Sequence, residues 1–104
     1  MDFDPLGEII ATRRLYFFDE GNVRRTVSVL VGKPQPSPDS RAFQCPFQII
    51  GIGSQKTHLA PGNDSIQALQ SAMILIDANL NNLNDELGGG LRWNDGAQGD
   101  LGFP

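Results

Sequence analysis

One cysteine, one histidine and one tryptophan are all the chain offers of the residues that most often carry metal or redox chemistry. A lone Cys45 excludes an internal disulfide and a thiolate cluster. Zinc takes three or four nitrogen, sulfur or carboxylate ligands, so with one His and one Cys no metal site is expected, and no cofactor either. No run approaches the ~18 apolar residues of a membrane span. Met1-Asp-Phe-Asp-Pro5 has neither the basic nor the apolar region of a signal peptide. With so little cysteine, a reducing cytoplasm is the expected location.

Basic residues are nearly missing from the second half. Residues 1–60 carry seven Arg/Lys against six Asp/Glu, whereas residues 61–104 carry Arg92 alone against six acids, within a net charge of −4. Phosphate contacts need lysine and arginine, so a general nucleic-acid binder is not expected. The acids read as solvation of a helix exterior and a tail. At 104 residues, 39% of them hydrophobic, the chain is expected to be one domain over residues 1–104 with one core.

The longest periodic stretch is Asp64 to Leu87. Ile66, Leu69, Met73, Ile76, Leu80, Leu83 and Leu87 recur every three or four residues and return to one helical face. Gln67, Gln70, Asp77, Asn81, Asn82, Asn84 and Asp85 fill the polar side. Asp64 is placed to cap the helix with Gln67 completing a capping box, and Gly88 suits the left-handed C′ position.

The residues before the helix read as the sheet it covers. After a lead-in over 1–7, Glu8–Phe18 and Asn22–Val31 are two strands. A three-residue loop, Asp19-Glu20-Gly21, with glycine left-handed, pairs Phe18 with Asn22, Phe17 with Val23, Leu15 with Arg25, Arg13 with Val27 and Ala11 with Val29. That register puts Ile9, Ala11, Leu15, Phe17, Val23, Val27, Val29 and Val31 on a core face. Arg13 and Arg25 share it awkwardly, as rim residues with buried stems or beside a bulge. Residues 32–41, with prolines at 34, 36 and 38, form a stiff connector. Phe43–Ile52 is a third strand, Pro46 arguing for an edge or a bulge. Gln55–Ala60 is a fourth, Leu91–Trp93 a brief fifth, and Trp93, Leu101 and Phe103 anchor a glycine-rich tail. The fold expected is α+β: a four- to five-stranded antiparallel meander over residues 8–60, with one long helix, 64–87, on one face.

Such a sheet leaves its second face bare, and the candidate site lies there. Arg14, Tyr16, Arg24 and Thr26, with Thr12 and Ser28, fall on that face, and arginine and tyrosine are enriched at interface hot spots. Arg24 opposite Tyr16 also suits a cation–π contact that does no more than steady the hairpin. No catalytic motif surrounds His58, which reads as structural. Cys45, between Phe43 and Phe47, reads as buried and inert. Gly51-Ile-Gly53 and the run 88–90 are turns, not phosphate cradles. Asp95 and Asp100 lack a calcium-loop spacing and read as solvated.

Ile10-Ala-Thr-Arg-Arg14, Gly32-Lys-Pro-Gln-Pro36, Cys45-Pro-Phe-Gln-Ile49 with Gly51 and Gly53, Gln67-Ala-Leu-Gln70 and the closing Gly99-Asp-Leu-Gly-Phe-Pro104 are distinctive as a set. Together they resemble a family of small, stand-alone bacterial proteins grouped as a domain of unknown function. The resemblance covers nearly the whole chain and implies a bacterial, cytoplasmic origin, with no catalytic residues to carry over. The function expected is a non-enzymatic protein-binding or accessory module that meets a protein partner, or a second copy as a homodimer, through the bare sheet face. The alternatives are a small enzyme between sheet and tail near His58 and Asp100, and an immunity-type protein that neutralises a toxin.

Overall fold

The computed structural model describes residues 6–38, 41–93 and 101–103 of the chain. Six strands, β1 (Ile9–Phe18), β2 (Arg24–Gly32), β3 (Gln35–Pro36), β4 (Phe43–Ile50), β5 (His58–Gly62) and β6 (Arg92–Trp93), form one sheet. The helix α1 (Ser65–Glu86) lies between β5 and β6 in the chain. Every pairing is antiparallel, and β1, β2, β4 and β5 follow one another across the sheet as the expected meander. β6 returns to the outer edge of β1. β3 prolongs β2 along the same edge of β4, with the register slipping by one residue between Val31↔Phe47 and Gln35↔Gln44. Pro46 lies opposite this break, which accommodates a proline inside an interior strand.

The β1–β2 hairpin keeps its expected faces but not its expected partners. Its three-residue loop is Glu20-Gly21-Asn22, with Asn22 rather than Gly21 left-handed at φ 59°. Phe18 therefore faces Arg24 and Leu15 faces Val27, a shift of two residues that leaves each side chain on its face. Asp19 sets this frame. Its Oδ1 accepts from the Gly21 and Val23 N–H groups, and its carbonyl accepts from Asn22 N–H. An aspartate at the first turn position competes successfully with a glycine at the last. Val23, expected in the core, consequently sits at the loop end and is exposed. Ile9 and Ala11, also expected inside, are exposed beside a register irregularity between them.

The helix boundaries match the capping residues. Asp64 Oδ1 accepts from Gln67 N–H at 2.7 Å, while Gln67 Oε1 reaches past the cap to Asn63 N–H. At the other end Gly88 N–H bonds the Asp85 carbonyl and Gly89 N–H the Asn84 carbonyl, a Schellman closure. The buried face differs from the expected stripe. Ala68, Ala72, Ile76, Leu80 and Asn84 are buried, Leu69, Met73 and Leu83 flank them, and Ile66 is 67% exposed. The small residues decide this rotation: α1 crosses so close to β5 that a Cβ on Gly62 would strike the Ala68 backbone. Asn84, expected in water, is buried and its Oδ1 accepts from Leu91 N–H at 2.8 Å, turning the chain toward β6.

The helix packs most closely on β4 and β5, with Met73 reaching toward Val29 and Val31, so much of the inner face of β1 and β2 needs other cover. Leu15, Val27, Val29 and Val31 are nonetheless buried, in one core with Leu91 and Leu101. Arg13 explains how the tail is held there. Its guanidinium lies 4.1 Å from the centre of the Trp93 ring and 4.7 Å from that of Phe103. Its Nη1 donates to the Gly102 and Leu101 carbonyls. The awkward arginine of the apolar face is thus a tail clamp. Gly102, at φ +81°, has no room for a side chain between the Arg13 guanidinium and the Trp93 ring. Charged hydrogen bonds and desolvated cation–π contacts stabilise by ~1–3 kcal/mol each, and they share one arginine here. Replacing Arg13 with Met is expected to cost about 2–3 kcal/mol in urea unfolding followed by fluorescence of the sole tryptophan, Trp93. A change below ~0.5 kcal/mol would show that the clamp does not hold the tail.

Candidate functional site

The outer face of the sheet divides into two regions. At one end Leu6 is buried, and its carbonyl lies over Gly32 beside Pro46, so Leu6 covers that corner. At the hairpin end, Arg14, Tyr16, Arg24 and Thr26 line a shallow depression of about 150 Å³. Register places Tyr16 beside Thr26 and Arg14 beside Ser28. Arg24 faces Phe18, not Tyr16, yet its guanidinium reaches diagonally to 4.1 Å from the Tyr16 ring centre. Phe18, 55% exposed, packs edge-on to Tyr16 at 6.0 Å. All four expected site residues are therefore together, two of them already fixed in a cation–π contact.

One residue on this face escaped sequence reasoning. Arg92 of β6 lies directly opposite Tyr16 and shares its face. The pairing joins residues far apart in the chain, and a two-residue strand leaves no periodic signal. Leu30, Gln48 and Ile50, half-buried, continue the face toward β4. The hairpin that carries the site is braced by Asp19, whose Oδ2 accepts from Arg25 Nε at 2.7 Å. This is the one ion pair among the described residues.

His58 lies on the other side of the sheet. Its ring stacks on Phe47 at 5.0 Å with 12° between the planes. It lines a cavity of about 220 Å³, with Lys56, Asn79, Asn82 and Glu86, between the β4–β5 loop and the second half of α1. No carboxylate among the described residues is ion-paired with it. Asp95 and Asp100, the other sequence candidates, lie outside the described residues. Cys45 is buried, and that burial pushes its thiol pKa up, so the thiol stays protonated and unreactive near neutrality. Among the described residues no group of three or more His, Cys, Asp or Glu comes together around a possible metal position. None of their helices is long and apolar enough to cross a membrane.

A family model described as a domain of unknown function, DUF6968, matches residues 11–104. The chain belongs to this family. No curated protein and no solved structure matches it. The first and last of the segments noted in the sequence meet in space. Arg13 of the first closes on Leu101, Gly102 and Phe103 of the last. Those residues make a structural joint, and the outer sheet face lies behind it.

The hydrogen bond from Val23 N–H, followed by that from Arg25, holds the Asp19 carboxyl below its usual pKa. A lowered folded-state pKa contributes stability above the unfolded value of ~4, lost as pH falls through the folded value. The Val23 amide resonance is therefore expected to move in the acid range below pH ~4 and to stop moving in Asp19→Asn. An unchanged titration in that variant would assign the transition to another group.

Proposed function

We propose that this bacterial, cytoplasmic member of the family is a non-enzymatic binding module that engages a protein partner through the outer face of β1, β2 and β6. The observation that carries the reading is the preassembled cluster of Arg14, Tyr16, Arg24 and Thr26, open to solvent on a face that α1 does not cover. Side chains already held in place lose less freedom on binding, and arginine and tyrosine combine contact area with hydrogen bonding. The strands give the cluster a rigid base, and Asp19 fixes their loop.

A second reading, a small-molecule or enzymatic site, rests on the His58 cavity with its lysine, carboxylate and amides. It is the weaker one, because among the described residues no carboxylate is ion-paired with His58 to orient it for proton transfer.

A photo-crosslinking amino acid at Thr26, in cells that make the protein, tests the first reading. A discrete protein adduct is expected from Thr26, none from the same group at Asn81 on the exposed helix surface, and loss of the adduct in Arg14→Ala/Tyr16→Ala/Arg24→Ala. Equal adducts at both positions, no adduct from Thr26, or an adduct indifferent to the triple substitution would overturn it.

A further inference from the structure

Among the described residues the outer face of the strands is basic. The net charge is −4, yet the outward positions of the strands carry Arg14, Arg24 and Arg92 and no Asp or Glu among the described residues. The three arginines surround Tyr16: Arg14 two residues before it, Arg24 over its ring and Arg92 beside it on β6. None has an ion-pair partner among the described residues. By contrast Arg25, on the same hairpin but the opposite face, is neutralised by Asp19. On the polar side of α1, Asp77, Asp85 and Glu86 carry the opposite sign.

We infer that the occupant of this face is an acidic polypeptide segment, which rests on the protein-binding reading above and names the partner's chemistry. A second copy docked face to face would bring six guanidinium groups together between two molecules of like net charge, an arrangement that costs binding energy. A carboxylate-bearing segment meets the same groups with matched sign, and arginine's planar fork takes carboxylates bidentately. Phe18, 55% exposed beside Tyr16, offers an apolar contact between the charges. Single-stranded nucleic acid fits less well. It binds by stacking successive bases on free aromatic faces, and Arg24 already occupies one face of Tyr16 while Phe18 meets the same ring edge-on.

The test titrates the whole protein into three fluorescent probes of equal length: a peptide alternating Glu and Tyr, its Lys–Tyr counterpart, and oligothymidylate. At low salt the acidic peptide is expected to bind at least ~10-fold tighter than either other probe, and to weaken ~10-fold when ionic strength rises from ~0.02 to ~0.2 M. Arg14→Glu/Arg24→Glu/Arg92→Glu, checked for an unchanged melting profile, is expected to reverse the preference between the peptides. No preference for the acidic peptide, the absence of binding included, or tighter binding of oligothymidylate overturns the inference. So does a concentration-dependent dimer, seen by light scattering, that Arg14→Ala/Arg24→Ala abolishes. If the Thr26 crosslink forms while the probes show no preference, the face binds protein and only the partner's charge is wrong. If both fail, the reading and the inference fall together.

Discussion

One helix is too narrow for this sheet. A helix with its side chains is about 10–12 Å across, and neighbouring strands are about 4.8 Å apart, so α1 covers little more than two of them. Its closest contacts are with β4 and β5. The inner face of β1 and β2, with Leu15, Val27 and Val29 buried, depends on the chain's own C-terminal residues for the rest of its shelter. Arg13 makes that possible by turning a charged residue on an apolar face into a bracket for Trp93, Phe103 and two tail carbonyls. An arginine suits this place because its stem packs, its flat head lies against rings and its donors satisfy carbonyls.

The outer face follows from the same arrangement. Both α1 and residues 101–103 are committed to the inner side, so among the described residues the far side has Leu6 as cover, at the Gly32–Pro46 corner. What is left toward the hairpin is polar and basic, on a molecule that is acidic as a whole. β6 joins the two sides: Trp93 points inward to the Arg13 clamp while Arg92, one residue earlier, points outward beside Tyr16. Holding the tail and completing the basic face are therefore coupled through two consecutive residues.

Much of this was legible in the sequence, and the failures have physical causes. Period-two alternation identified β1 and β2 and sorted their faces, since a register error of two residues preserves both. The partners themselves were not legible, because Asp19 and Gly21 compete to frame the turn and Asn22 also tolerates the left-handed conformation. The helix ends were clear from Asp64 and Gly88. Its buried face was not legible, because hydrophobicity favours Ile66, whereas close approach to Gly62 favours Ala68 and Ala72. Residues 55–57, expected at the start of β5, belong instead to a loop braced by Gln55, whose Oε1 accepts from Gly51 N–H. For the site, Arg14, Tyr16, Arg24 and Thr26 come from one local hairpin and were visible together. Arg92 and the partners of Arg13 depend on contacts across most of the chain, which no local pattern records.

The claim that the tail, and not α1, secures the β1 side of the core can be tested by hydrogen exchange of native protein and Gly102→Val. A side chain at Gly102 would intrude between the Arg13 guanidinium and the Trp93 ring, and valine disfavours its φ of +81°. Amides of β1 and β6 are expected to lose protection while α1, β4 and β5 keep theirs. Unchanged protection in β1, or an equal loss throughout the sheet and helix, would contradict it.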